Sequence, residues 1–214
     1  MKKKVIAFIF VALLALFVSP VAQASDGGLY LSVKGGLGVL GGDKTLSHNQ
    51  TKLKNNTTSW KSNLFSYGGS VGWNWMGFEV PLRTELEYYN HGSVKMKHTD
   101  SNATFSTGTT EIQTLQFNLF YDFHNSTIFI PYVGAGVGKA RLKSGSASKD
   151  NFSYSLFAGS AVKLTETILL DFTYRVNNFG DGFGFSHTGP KGTYTGKMKN
   201  MYAVEGTVGL RIQF

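Results

Sequence analysis

The chain has 214 residues, with 21 Lys+Arg against 13 Asp+Glu for a formal net charge of +8, and it has 26 Gly, 17 Phe, 10 Tyr, 4 Pro and no Cys. At 42% apolar residues it is too hydrophobic for a disordered basic tail. After its first residues no run of about 18 apolar residues remains, which excludes a bundle of membrane helices. The lack of cysteine excludes disulfide scaffolds, thiolate metal sites and a lipid anchor on Cys.

The first residues read as an address label. Met1-Lys2-Lys3-Lys4 is basic, Val5 to Val18 is unbroken apolar sequence, and Ser19-Pro20 leads to Ala22-Gln23-Ala24. This order predicts a secretory signal peptide over residues 1–24, cleaved after Ala24, and a single mature domain over residues 25–214. An apolar run of that length spans only about 21 Å as a helix, short of a hydrocarbon core of about 30 Å. Loss of Lys2, Lys3 and Lys4 leaves 18 positive and 13 negative residues, a net charge of +5.

From Leu29 onward the apolar pattern has period two. Leu29, Leu31, Val33, Leu37 and Val39 alternate with Tyr30, Ser32, Lys34, Gly36 and Gly38. The same alternation recurs over 65–75, 82–89, 115–123, 132–138, 152–163, 168–176 and 201–214, which makes eight strands. The gaps alternate in length: long over about 41–64, 90–110, 142–151 and 177–200, short over about 76–81, 124–128 and 164–167. Long loops confined to one end are the pattern of an outer-membrane barrel, with short periplasmic turns and long outward loops. One parity carries bulky apolar and aromatic side chains, and the other carries Gly, Ser, Asn and isolated charges. An eight-stranded barrel has a narrow interior, so the small and polar set belongs in the lumen and the bulky set faces lipid. The expected fold is therefore an all-β, eight-stranded antiparallel transmembrane β-barrel with four long, flexible extracellular loops, present as a monomer.

Aromatic residues fall near both strand ends and are expected to form two girdles. Trp73, Trp75, Phe78, Tyr121, Phe123, Phe129, Tyr132 and Phe214 would make the periplasmic one. Phe65, Tyr67, Tyr88, Tyr89, Phe152, Tyr154, Tyr174 and Tyr202 would make the outer one. The last strand ends Thr207-Val208-Gly209-Leu210-Arg211-Ile212-Gln213-Phe214. It resembles the C-terminal signal read by the bacterial barrel-assembly machinery, with Thr207, Gly209, Ile212 and Phe214 at its marked positions.

Three stretches carry a closer resemblance: Pro81 to Tyr89 (PLRTELEYY), Tyr121 to Asn125 (YDFHN) running into Pro131 to Gly138 (PYVGAGVG), and Leu170 to Arg175 (LDFTYR). Together these segments resemble opacity-type outer-membrane barrels, and among them the Tia/Hek-type invasins and heat-resistant agglutinins of enteric bacteria. The resemblance covers the strands of nearly the whole mature chain. It implies an adhesin that binds heparan sulfate or other host glycans through its loops and promotes aggregation and invasion. The loops match no named binding motif, so no binding residue is carried over.

The charges divide by position. The long gaps contain Lys44, Lys52, Lys54, Lys61, Lys95, Lys97, Lys143, Lys149, Lys191, Lys197 and Lys199 against Asp43, Asp100, Asp150 and Asp181, a net charge of +7. The rest of the mature chain holds 7 positive and 9 negative residues, or −2. The lysines are the candidate contacts for a polyanion, or else keep the loops solvated beside lipopolysaccharide. Their dispersal among Asn, Ser and Thr suits adaptable, salt-sensitive contacts rather than a bidentate arginine site. Lys139 and Arg141 continue an outward parity past the lipid band and are candidates for lipopolysaccharide phosphates. Nucleic acid is not an expected partner for an exported chain.

The lumen parity holds Lys34, Arg83, Lys163, Arg175 and Arg211 against Glu85, Glu87, Asp122, Asp171 and Glu205. Buried charges must pair, so a cross-strand network is expected, with Glu85, Glu87 and Glu205 near Arg175 and Lys34. A narrow, porin-like ion path is the alternative use of the same residues. Catalytic signals are weak. His124-Asn125-Ser126 lies in a short turn, and Ser186 and His187 are adjacent, so on an extended chain they point apart. Gly134 to Gly138 is not followed by a helix, as a nucleotide loop would be. No enzyme, metal or cofactor is expected.

Overall fold

The computed structural model describes residues 27–48, 51–100, 103–189 and 192–214. The expected signal peptide lies outside the described residues. Strands run in chain order as β1 (Gly28–His48), β2 (Thr51–Asn74), β3 (Leu82–Asp100), β4 (Ala103–Asp122), β5 (Phe129–Ser144), β6 (Ala147–Lys163), β7 (Ile168–Gly180), β8 (Gly184–Gly189) and β9 (Gly192–Gln213). Each stave pairs antiparallel with its neighbour, β7 pairs with β9, and β1 pairs with β9 to close the ring. The result is a closed eight-stranded antiparallel barrel, with β8 as a short extra strand hydrogen-bonded to β9 beyond the ring. Closure leaves no free edge at membrane depth, where an unpaired backbone N–H or C=O would cost several kcal/mol.

The long segments differ from the expected flexible loops. β1 and β2 stay paired up to His48 and Thr51, and β3 and β4 up to Asp100 and Ala103. Both gaps are therefore hairpin extensions of the staves, because continued pairing satisfies backbone groups that a loop would leave to water. The 142–151 segment closes in a two-residue turn, with Gly145 at φ 57°. Gly145 supplies the left-handed conformation that such a hairpin requires.

Alternation sorts the side chains as the period predicts. Leu37, Phe65, Val71, Leu86, Phe117, Val133, Phe152, Phe172 and Val208 face outward into the bilayer. Tyr30, Ser66, Glu85, Gln116, Asn118, Ser155, Arg175 and Glu205 are buried in the lumen. Two girdle residues are corrected: Tyr89 and Tyr132 are buried and point inward. Each lies on the lumen parity of its strand, and their nearness to the strand ends does not change that. They belong with Phe120 and Phe157, which are also interior. Space for these rings comes from cross-strand glycines. Tyr30 is registered against Gly72, Tyr89 against Gly68, Tyr132 against Gly159, and Gly134 lies between Phe120 and Phe157. A Cβ at Gly68, Gly72, Gly134 or Gly159 would strike the ring beside it. Aromatic residues thus lie over glycines on the inner wall, which pins register.

The lumen is layered. Near the short turns Phe120, Tyr132, Phe157, Ala161 and Leu169 pack together. Toward the long hairpins a second cluster joins Leu40, Leu64, Val94, Ile112, Leu142, Phe179, Met198 and Met201. The charged residues lie between and beside these layers.

Candidate functional site

The lumen charges form a connected network. Lys34 Nζ donates to Glu85 Oε1 at 2.6 Å and to Glu87 Oε2 at 2.8 Å. Arg175 Nη2 reaches Glu87 Oε1 at 2.9 Å, and its Nε lies 3.8 Å from Glu205 Oε2. Tyr30 and Asn118 donate to the Glu85 carboxylate, and Asn177 donates to Glu205. The Arg175 guanidinium stacks over the Tyr89 ring, 4.2 Å from its centroid. Such partners offset the cost of burying charge, which several kcal/mol per ion would otherwise make prohibitive.

Two separate pairs sit nearer the short-turn end. Arg83 Nε meets Asp122 Oδ2 at 2.6 Å, with its guanidinium between the Phe120 and Tyr132 rings. Arg211 engages both oxygens of Asp171, at 2.8 and 3.1 Å. Lys163 departs from the expected network. It pairs with Glu166 at 3.0 Å at the mouth and keeps 33% of its side chain exposed, because β6 ends there and the lumen opens to solvent.

His91 is a member that sequence reasoning missed. Its Nδ1 lies 2.9 Å from Glu205 Oε2 and its Nε2 lies 3.1 Å from Thr114 Oγ1. Its ring meets Phe179 edge-on at 4.7 Å. Two signals pointed to it. Arg83, Glu85, Glu87, Tyr89 and His91 form one unbroken inward parity, and Asn-x-Gly occurs at both 90–92 and 178–180. In each, the Asn side chain accepts from the Gly N–H, and Gly92 and Gly180 have φ of 77° and 72°. The paired irregularities throw their central residues, His91 and Phe179, into contact across the lumen.

The outward cations fall into three groups. Lys139 and Arg141 project from β5 above its lipid-facing Val133 and Val137, and both bind Asp150 on β6, at 2.8 and 2.9 Å. The hydrogen bonds from Arg141 and Lys139 hold the Asp150 carboxyl below the usual carboxylate range. Lys149 differs from a freely presented cation: its Nζ donates to the carbonyls of Asp181 and Gly182 and tethers the turn after β7. Lys143 and Lys199 lie at the same end of the barrel. Lys44, Lys52, Lys54, Lys61, Lys95, Lys97 and Lys197 lie on the hairpin extensions of β1, β2, β3 and β9, and Lys191 lies outside the described residues. Ser186 and His187 follow one another on β8, and His124 Nδ1 lies beside the Asp122 carbonyl at 3.2 Å in a short turn. The C-terminal pattern forms the seam: Gly209 faces Lys34 on β1, and Phe214 N donates to Leu29 O at 2.9 Å.

Residues 8–212 match the outer membrane protein β-barrel domain. The chain belongs to this family and is an outer-membrane protein. It is 29% identical over 200 residues to outer membrane protein PagN of Salmonella typhimurium, covering 81% of this chain and 84% of PagN. Its fold resembles Neisserial surface protein A, with TM-score 0.55 and 18% identity over 87% of this chain and 97% of that one. It also resembles OprG of Pseudomonas aeruginosa, with TM-score 0.57 and 10% identity over 90% and 100% of the two chains. The outer-membrane barrel read from the strands thus holds as family membership, and the relative PagN agrees with the resemblance that the strands carry.

Proposed function

We propose that this barrel is a non-enzymatic adhesin or invasin that holds basic hairpins outside the cell to bind polyanionic host glycans such as heparan sulfate. The observation that supports this reading is the division of charge: the long segments sum to +7 while the other residues from Ser25 onward sum to −2. A field of that sign at the far end of a stiff barrel attracts sulfated polymers, and salt screens it within about 8 Å at physiological ionic strength. Each lysine contact is weak, and many copies per cell multiply them. Hairpins that continue the staves as paired strands already have an ordered backbone, which lowers the ordering cost of binding.

The test displays the chain on a non-adherent strain and measures attachment to cells with and without surface glycosaminoglycans. Attachment should fall on glycosaminoglycan removal, on addition of heparin, and in moderate salt. Neutralising Lys52, Lys54, Lys95 and Lys97 together should weaken it about tenfold or more, since each charged contact supplies a few tenths of a kcal/mol or more. Attachment unchanged by all of these treatments would leave a structural or porin-like barrel whose hairpins only contact lipopolysaccharide.

A further inference from the structure

The outer rim is not uniform from β3 to β7. Above the outermost lipid-facing residues, β3 presents Asn90, β4 presents Gln113, β6 presents Asp150 and β7 presents Asn178. β5 instead presents Lys139, Arg141 and Lys143, at alternate positions and so on one face. The register sets Leu115 and the exposed Phe152 on either side of Lys139, and Gln113 and Asp150 on either side of Arg141. Directly below, Phe117, Val137, Tyr154 and Leu156 make a continuous lipid-facing surface. Among the described residues of β3 to β7, the cationic side chains at this height therefore stand on β5, immediately over an acyl-compatible wall.

Asp150 arranges this group without cancelling it. Arg141 uses Nε and Nη2 on the two Asp150 oxygens, at 2.9 and 3.3 Å, and Lys139 uses one donor at 2.8 Å. Counting donors, about three guanidinium N–H and two ammonium N–H groups stay directed away from Asp150. Lys139 and Arg141 are 57% and 51% exposed, so those donors reach the head-group region. Two cations against one carboxylate leave a net positive charge, while Lys143 stands opposite the exposed Glu111 of β4 and adds none. Charge-assisted bonds from such a fork suit phosphate oxygens.

We propose that Lys139 and Arg141 bind the phosphorylated head group of an outer-leaflet glycolipid, with its acyl chains lying over Phe152, Tyr154 and Leu156. Asp150 is a positioning residue that aims Arg141 and Lys139 at the phosphate. The site faces the protein's own membrane, so it is independent of the hairpin lysines and of any host ligand.

The experiment is native mass spectrometry of the full chain released from phosphatidylethanolamine nanodiscs doped with bisphosphorylated lipid A. One retained lipid A is expected on the wild type. Occupancy should fall about tenfold in the Lys139→Gln/Arg141→Gln pair and with dephosphorylated lipid A, since both remove charge-assisted bonds. Lys163→Gln, which removes a positive charge at the opposite mouth, should leave it unchanged. Lys139→Arg should hold the lipid, and this tests the site even if the double variant does not assemble. Millimolar inorganic phosphate should not displace the lipid. Displacement by phosphate would mean a free-anion site and overturn the assignment, as would equal retention of dephosphorylated lipid A or full occupancy in the double variant. Heparin binding, followed in parallel, should survive the double variant, so failure here is separable from failure of the adhesin reading.

Discussion

Arg175 shows how much one residue holds. It is buried, joins Glu87 to Glu205, and stacks on Tyr89. Replacing it by Met keeps most of its volume but strands Glu87 and Glu205 in a lumen that water barely enters. Arg175→Met should destabilise the barrel by about 3–5 kcal/mol, the usual penalty for breaking a buried pair on one side. Adding Glu87→Gln should recover part of that loss. Urea unfolding in lipid vesicles, followed by tryptophan fluorescence, measures both. A second residue-scale prediction concerns space. A Cβ at Gly134 meets the Phe120 ring and stands 2.8 Å from Leu119 O. Gly134→Ala should therefore cost about 1–3 kcal/mol through overpacking. Phe120→Leu in the same chain should restore part of it, because the ring is one of the two obstacles. The same urea titration reads the result, and an unperturbed midpoint for Gly134→Ala would reject the ring-over-glycine account.

At the scale of elements, the staves within the membrane were legible and their extensions were not. Strands with one lipid face and one lumen face must alternate, so Leu29 to Val39 or Leu115 to Phe123 reveal their period directly. Beyond the rim a strand has no lipid face to alternate against, and the sequence through Lys52, Lys54, Asn55 and Thr57 loses the alternation while the backbone continues to pair. The inward-facing Leu40, Leu64, Leu142 and Met201 were hidden for a related reason: the apolar plug lies where the outer wall is also turning polar. His91 was readable as the fifth step of the inward series from Arg83, but the Asn-x-Gly irregularity around it breaks the simple period there. Because the charge network lies below the extensions, the hairpins should be separable from the fold. Joining Thr45 to Thr57 through a short turn removes the top of the β1–β2 hairpin at a point where the two residues are already paired. The shortened chain should still assemble and resist unfolding as the full chain does, since long surface insertions contribute little to stability. Its attachment to glycosaminoglycan-bearing cells should drop, because Lys52 and Lys54 go with the excised segment. Loss of assembly would place the hairpin within the folding unit.

For the whole molecule, the decisive question is whether the lumen conducts. A vestibule of about 180 Å³ opens at the short-turn mouth, lined by Asn74, Asp122, Lys163, Glu166, Arg211 and Gln213. Above it the ring layer of Phe120, Tyr132 and Phe157 narrows the interior, and the central space beside Lys34, Glu87 and Arg175 is about 10 Å³. That is room for about one water molecule. The outer half is closed again by Leu40, Ile112, Leu142, Phe179 and Met201. An ion crossing this barrel would have to break the Lys34–Glu87–Arg175 pairs and then pass through packed hydrocarbon, two barriers in series. Eight staves enclose an interior that side chains can fill, and here they do. Purified protein in planar bilayers should accordingly show no stable channel on the nanosiemens scale. Opening the outer layer alone, by Phe179→Ala with Met201→Ala, should still give none, because the charged layer beneath remains intact. A steady open channel in the wild type would overturn the filled-barrel reading, and with it the view that this protein acts through its outward hairpins rather than through its lumen.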